Sequence, residues 1–440
     1  WFTRRAQFRA IGNSMTTNDS PAKSGARVAL GLLLAINLFN YIDRYVLAAV
    51  EPSIRAAFFA PGDPNAMLRT GALAPAFLFT YMIAAPVLGF LADRFSRWLV
   101  VGVCVILWSI ATAASGFAAT FAALFITRIF VGIGEGGYGP AAPTILSDYF
   151  AIQMRGRIMA IFCGAIPVGS ALGYVLGGII NHQLGWRWAF YLVAIPGIVL
   201  GLACFWQKDP RTRANAGVLE KPRGARKQQY LALLRNRSFM INCLAQTAMT
   251  FALGGLAFWM SAYLIFRKQP PELGTPIFGG ITVVAGLLST LLGGFVADRL
   301  QKRFSGSYFL VSGVGMLLAF PLFVAMLYAP FPLAWVFIFG AVFFVFLNTG
   351  PSNAALANVV GPQIRASAFA LNILIIHLFG DALSPPLLGA VAGHFDMTMA
   401  FLVVSAAMLV SGVIWLLGVK YLAADTALAE MEAERRVSAS

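Results

Sequence analysis

Twelve apolar stretches, each about 20 residues or longer, constrain this chain before any motif is read. They lie near 28–50, 70–92, 98–117, 120–145, 157–181, 186–207, 239–266, 276–298, 306–328, 331–353, 366–393 and 397–421. A bilayer core offers no water to unpaired backbone groups, so an apolar run of that length must close its own hydrogen bonds as a helix. The chain therefore reads as an all-α integral membrane protein with twelve spans. Composition agrees: 59% of residues are hydrophobic and 11% charged, against about 45–50% and about 25% in soluble domains.

The net charge of +15 raises the possibility of nucleic-acid binding, and its distribution decides against that. With an even number of spans both termini share one face. That face carries 25 Lys and Arg, the opposite face carries five, and Arg44 and Arg128 lie inside spans. The positive-inside rule then puts both termini in the cytoplasm. The basic excess reflects topology and lipid headgroup contact. Cys104, Cys163, Cys204 and Cys243 all fall in or at the ends of spans, so they read as packing residues and not as a disulfide framework. Residues 1–14, which precede the first methionine at Met15, are left out of the reading.

Between the sixth and seventh spans, residues 208–237 hold nine basic residues against Asp209 and Glu220, with Pro210 and Pro222. Such a segment between two apolar blocks reads as a cytoplasmic linker. It separates a bundle over 28–207 from one over 238–421, with a cytoplasmic tail over 422–440. The two bundles repeat. "GFLADRFSR" from Gly89 to Arg97 returns as "GFVADRLQKR" from Gly294 to Arg303, and "RGRIMA" at Arg155 returns more weakly as "RASAFA" at Arg365. Parallel six-helix repeats are an organisation of membrane transporters.

These residues carry a family resemblance. The two loop motifs, with "RIFVGIGEGG" from Arg128 to Gly137 in the fourth span, resemble the signatures of the major facilitator superfamily. "NYIDRYVLA", "GIGEGGYGPAAPTILSDYF", "AIPVGSALGYVLGG" and "GGLAFWMSAYL" are similar to spinster-type lysolipid transporters. The resemblance covers most of the first half and the start of the second. It implies the major facilitator fold and transport by alternating access. The implied cargo is an anionic amphipathic lipid, of the lysophospholipid or sphingosine-phosphate type. It further implies a bacterial homologue in the inner membrane. Related branches carry small organic anions, so a proton-coupled symporter of sugar acids is the rival reading.

Charges inside spans need an explanation, because each costs about 2.5–3.5 kcal/mol near the middle of a membrane helix on insertion scales. Asp43 and Arg128 both fall roughly 10–12 Å below the outer edge, from the 1.5 Å rise of a helix. If the first and fourth spans face one cavity, as the resemblance implies, this acid and base can pair. Arg44, turned about 100° from Asp43, must meet another neighbour. Glu135 lies two turns beyond Arg128 on nearly the same face. A carboxyl in such a place is costly to ionise without a partner, so Asp43 and Glu135 are the candidates for proton binding. Arg128 then pairs with either acid when ionised and, once protonation frees it, holds an anionic headgroup. The alternative is a permanent helix–helix tie. Asn40 and Tyr41 are further candidates for lining the cavity. So are His377 and Asp381, one turn apart in the eleventh span. Asn348, Asn372 and the phenylalanines at 337, 339, 343, 344 and 346 have weaker claims, packing being the alternative.

The loop motifs read as gating residues. Asp93, Arg94, Arg97 and Asp148 lie at cytoplasmic helix ends, where Arg97 can pair with Asp148 and Asp93 can meet a helix N-terminus. Asp298, Arg299 and Arg303 serve the second half in the same way. Gly169, Gly173 and Gly177, at four-residue spacing in the fifth span, allow a close helix approach. No Gly-Lys dipeptide occurs, which excludes a Walker loop and an ATP-driven pump, and no HExxH or GxSxG motif points to an enzyme. No metal or cofactor is expected. The partners are a proton, the cargo and membrane lipids, and one chain holding both repeats is expected to be a monomer.

Overall fold

The computed structural model describes residues 25–150, 152–210, 231, 233–361 and 364–437, and among them all regular structure is helical. Among the described residues, twelve helical units are long and apolar enough to cross a membrane. The expected linker falls largely outside the described residues, as do residues 1–14.

In the first half, α1 is Ala26–Phe58, α2 Ala66–Gly71, α3 Leu73–Arg94, α4 Arg97–Gly116, α5 Phe121–Tyr149, α6 Ile152–Leu184 and α7 Trp186–Cys204. In the second, α8 is Arg237–Phe266, α9 Pro271–Gln301, α10 Ser307–Tyr328, α11 Leu333–Phe346 and α12 Thr349–Asn358. Then follow α13 Arg365–Ile376, a π-helical turn His377–Asp381, α14 Ser384–His394 and α15 Met397–Val437. Short α2 leads into α3 to make the second span, α11 and α12 share the tenth, and α13 to α14 form the eleventh.

Pairing follows the repeat. In the first half α1 packs on α6, α3 on α5 and α4 on α7. Their counterparts in the second half do likewise, α8 on α13, the π turn and α14, α9 on α11 and α12, and α10 on α15. The α1–α6 contact rests on the glycine stripe. A methyl group at Gly169 would sit 2.6 Å from the Leu38 carbonyl oxygen, and one at Gly173 2.7 Å from Tyr45 Cβ. Only a bare backbone lets α6 approach this closely, and the approach fixes the face that α1 turns to the interior.

Helix ends depart from the apolar runs. α1 does not stop near Val50 but continues through Glu51 and Pro52 to Phe58. Glu51 is fully buried, accepting hydrogen bonds from Thr70 Oγ1 at 2.7 Å and Arg55 Nε at 3.1 Å. Partners from α2 and from the next turn offset a charge that, read alone, marks a boundary. Asp43 consequently lies well inside its helix. At the other end, α15 runs on past residue 421 as an unbroken helix.

The halves meet toward the face opposite the termini, here called the far face. There α2 packs on α14 and α6 on α9. A methyl group at Gly71 would come within 2.5 Å of the Pro385 carbonyl oxygen, and Gly389 and Gly393 press on the Met67 and Pro64 carbonyls. Tyr174 of α6 donates to the Ala257 carbonyl of α8, and His182 stands 3.9 Å from Glu272.

Candidate functional site

Below that seal, between the halves, lies a cavity of about 280 Å³. Tyr41, Asp43, Arg44 and Tyr45 of α1 line it with Phe77 of α3 and Arg128 and Glu135 of α5. The second half adds Gly254, Ala257 and Phe258 of α8, His377 and Asp381 of the π turn, and Pro385. One wall is charged and the other mostly apolar. Every intramembrane charge singled out in the sequence reaches this one space.

The pairing differs from the expectation in one respect. Glu135 is held by Arg44 and not by Arg128: its Oε2 lies 2.5 Å from Arg44 Nη2 and accepts from Nε at 2.7 Å. Arg44, expected to meet another neighbour than Asp43 does, instead reaches the same helix, α5, two turns beyond Arg128. The Arg44 guanidinium also stands 4.8 Å from the Phe77 ring centroid, 5.1 Å from Tyr41 and 5.5 Å from Tyr81. Glu135 is fully buried, while the Arg44 side chain is 27% exposed.

Asp43 and Arg128 form the second pair, more loosely, with Nη1 to Oδ1 at 3.9 Å and both side chains buried. Two hydroxyls of α4 complete it: Thr112 Oγ1 donates to Asp43 at 2.5 Å, and Arg128 donates to Ser115. The Phe190 ring lies under the Arg128 guanidinium at 5.2 Å. Neither hydroxyl was singled out in the sequence. The available signal was their three-residue spacing in the third span, which puts polar groups on one face of an apolar helix.

Two buried polar atoms of this second pair, Asp43 Oδ1 and Arg128 Nε, have no hydrogen-bond partner among the described residues. A buried polar atom without a partner costs about 1–3 kcal/mol, so the site holds unused bonding capacity. Asn40 does not line the central cavity. It borders a smaller one of about 160 Å³, with Asn37, Tyr81 and Tyr138, and Arg44 and Glu135 stand between the two.

His377 Nδ1 lies 2.9 Å from Asp381 Oδ2 across the π turn, and this pair faces the charged wall from the second half. Asn372 donates to Gln246 at 2.7 Å and ties α13 to α8, and Asn348 bonds the Val345 carbonyl within its own segment. Neither is among the cavity-lining residues. The phenylalanines of α11 do not line it either. Phe337, Phe343, Phe344 and Phe346 pack against the apolar core, because the helix turns that face to its neighbours.

At the terminal face, Arg97 Nη2 lies 2.6 Å from Asp148 and 2.7 Å from Asp209, whose carboxylate also accepts from the Arg97 backbone N–H at 2.9 Å. Arg97 thus joins the start of α4, the end of α5 and the segment after α7. Asp209, read only as part of the linker, accepts the larger share of its hydrogen bonds. Asp93 and Arg94 are exposed, with the Arg94 guanidinium 4.2 Å from the Phe90 ring. In the second half Asp298 accepts from Tyr308 at 3.0 Å, while Arg299 and Arg303 line a surface groove beside Phe295. Replacing Arg97 with alanine should lower stability by about 1.5–3 kcal/mol, the worth of hydrogen bonds to charged groups. Thermal unfolding of the purified protein checks this, and an unchanged melting temperature would remove the cluster as a structural tie.

Comparison with known proteins adds matches of three kinds. The family model described as Major Facilitator Superfamily matches residues 33–380. Protein spinster homolog 3 of Danio rerio is 36% identical over 397 residues, covering 86% of this chain and 78% of that protein. Protein spinster of Drosophila melanogaster is also 36% identical, over 82% of this chain and 61% of its own length. The sphingosine-1-phosphate transporter SPNS2 of Xenopus tropicalis is 31% identical over 84% and 74%. Among solved structures, a bacterial homolog of the human lysosomal transporter Spinster, inward-facing and unoccupied, superposes with a TM-score of 0.76. It is 21% identical, over 92% of this chain and 98% of that one. A D-xylose–proton symporter follows at 0.70 and 18%, over 88% and 96%. At these identities the structures speak to the fold alone.

Proposed function

Because the chain belongs to the Major Facilitator Superfamily and, within it, to the spinster family, we propose that this transporter moves an anionic amphipathic lipid by proton-coupled alternating access. A lysophospholipid or a sphingosine-phosphate-like molecule is the cargo this reading names. The observation that carries it is the joining of two acid–guanidinium pairs, Arg44–Glu135 and Arg128–Asp43, in one cavity with a largely apolar opposite wall. A phosphate head needs a guanidinium, and a guanidinium already paired must be released. Protonation of Glu135 or Asp43 does that, since a neutral carboxyl no longer holds the cation. The proton and the cargo are then bound together by charge exchange. A sphingosine-1-phosphate transporter among the relatives supports the lipid class.

In this reading the far-face seal is one of two gates, and the Arg97 cluster is part of the other. The bacterial inner membrane, cytoplasmic termini and a monomeric state complete the proposal. A compact organic anion remains the alternative, favoured by one observation. The cavity, at about 280 Å³, sits just below the usual ligand range of about 300–1,000 Å³, so it fits a headgroup or a small anion without a tail.

Uptake into proteoliposomes tests both. Labelled lysophospholipid should enter faster with an imposed proton gradient than without, and Arg128→Ala should reduce gradient-driven uptake by at least about tenfold, the factor that 1.4 kcal/mol carries. Gradient-driven uptake of a sugar acid with no lipid uptake would move the cargo to the alternative. Absence of both uptakes would refute the proposal.

A further inference from the structure

The Arg44 side chain occupies a place shaped like a ligand site. Three rings surround its guanidinium, Phe77 at 4.8 Å, Tyr41 at 5.1 Å and Tyr81 at 5.5 Å, and the Glu135 carboxylate closes the box at 2.5 Å. Aromatic faces with one acid form the general arrangement that recognises alkylammonium groups. The rings come from two helices held rigidly. Tyr41 backs onto Gly169, and the Phe77 carbonyl lies against Gly132 of α5. Tyr41 and Phe77 also line the central cavity, so the box opens on the space where cargo would sit.

We infer that this box is an ammonium-binding subsite, filled by Arg44 until a zwitterionic cargo displaces it. The inference rests on the reading of the cavity as a headgroup site and adds the second half of the headgroup. Displacement is an exchange of one cation for another: the cargo's ammonium takes the place among the three rings, and the freed Arg44 guanidinium pairs with the cargo's phosphate. The cavity's charges favour this over a purely anionic head. Asp43, Glu135 and Asp381 stand against Arg44, Arg128 and His377 among its lining residues. A purely anionic head therefore meets no excess of basic groups there, whereas a zwitterion needs none.

The test compares binding of a choline-headed lysolipid and its phosphate-only analogue to the purified protein in nanodiscs. Wild type should prefer the choline head. Phe77→Leu and Tyr81→Leu should each reduce that preference roughly five- to thirtyfold, the range between well-placed exposed and desolvated cation–π contacts, while Tyr81→Phe, which keeps the ring, should preserve it. Tetramethylammonium on wild type needs no variant: it should compete with the choline-headed lipid and not with the phosphate-only one. A preference that does not move when rings are removed, equal competition against both lipids, or no binding of either would overturn the subsite. Uptake measured on the same preparations separates the two ideas. A preference that shifts as expected, with neither lipid transported, keeps the box and rejects the lipid carrier. Transport with an unmoved preference does the reverse.

Discussion

Glu135→Gln should strip cargo uptake of its response to a proton gradient. Glutamine keeps the shape of the side chain and an oxygen that can accept from Arg44, but it never ionises. Arg44 then faces a neutral partner at every pH, the condition that protonation creates in the native protein. Removing one member of a buried ion pair costs about 3–5 kcal/mol, and the partial exposure of Arg44 places this pair at the lower end. Three kcal/mol is roughly a hundredfold in an equilibrium constant, so gradient-driven accumulation should fall by about that factor. Cargo exchange without a gradient should persist, because Asp43, Arg128 and the apolar wall are untouched. Uptake measured from acid to neutral pH, with and without a gradient, decides the point. A pH profile matching wild type would exclude Glu135 as the coupling group.

The second large effect is expected at the far-face seal. Gly389 and Gly393 of α14 lie against the carbonyls of Met67 and Pro64, and Gly71 of α2 against that of Pro385. The opposing atoms are backbone, so they cannot swing aside as a long side chain would. Gly389→Ala combined with Gly393→Ala should keep α2 and α14 from closing. Overpacking costs about 1–3 kcal/mol per site. Two sites therefore shift the balance between closed and open far faces by roughly 30-fold or more. Uptake should drop accordingly, and a cysteine placed at Leu73 beneath the seal should react faster with a membrane-impermeant maleimide from the far side. The chain should still fold, since opening relieves the clash. Wild-type uptake together with wild-type labelling would show that the seal tolerates the added methyl groups.

The fold was readable because its cause is one-dimensional: twelve apolar runs and a repeated loop motif lie in the order of the chain. Depth was readable for the same reason, and it put Asp43 and Arg128 in one layer with Glu135 two turns beyond. Rotation was not. Whether Glu135 meets Arg44 or Arg128 depends on how α1 is turned against α5, and that turn is set by the contact of Gly169 and Gly173 with α1. The extension of α1 past Glu51 was hidden likewise, because Thr70, which offsets the charge, lies on another element. Thr112 and Ser115 looked like ordinary hydroxyls in an apolar span until α4 brought them to the ion pair. Asp209 sat in a segment read only for its basic excess.

The π turn from His377 to Asp381 makes the eleventh span a helix in two registers. A π turn carries one residue more than an α turn, so side chains before and after it follow different azimuths by about 100°. Losing a single residue there would restore a continuous α-helix and rotate all of α14 about its own axis. Gly389 and Gly393 would then leave the carbonyls they press against, and Asp381 would turn out of the cavity. One wide turn therefore sets two distant things at once: the fit of the far seal and the position of an acid. Insertions and deletions in this span should be felt at both, while substitutions that keep its length act on one or the other.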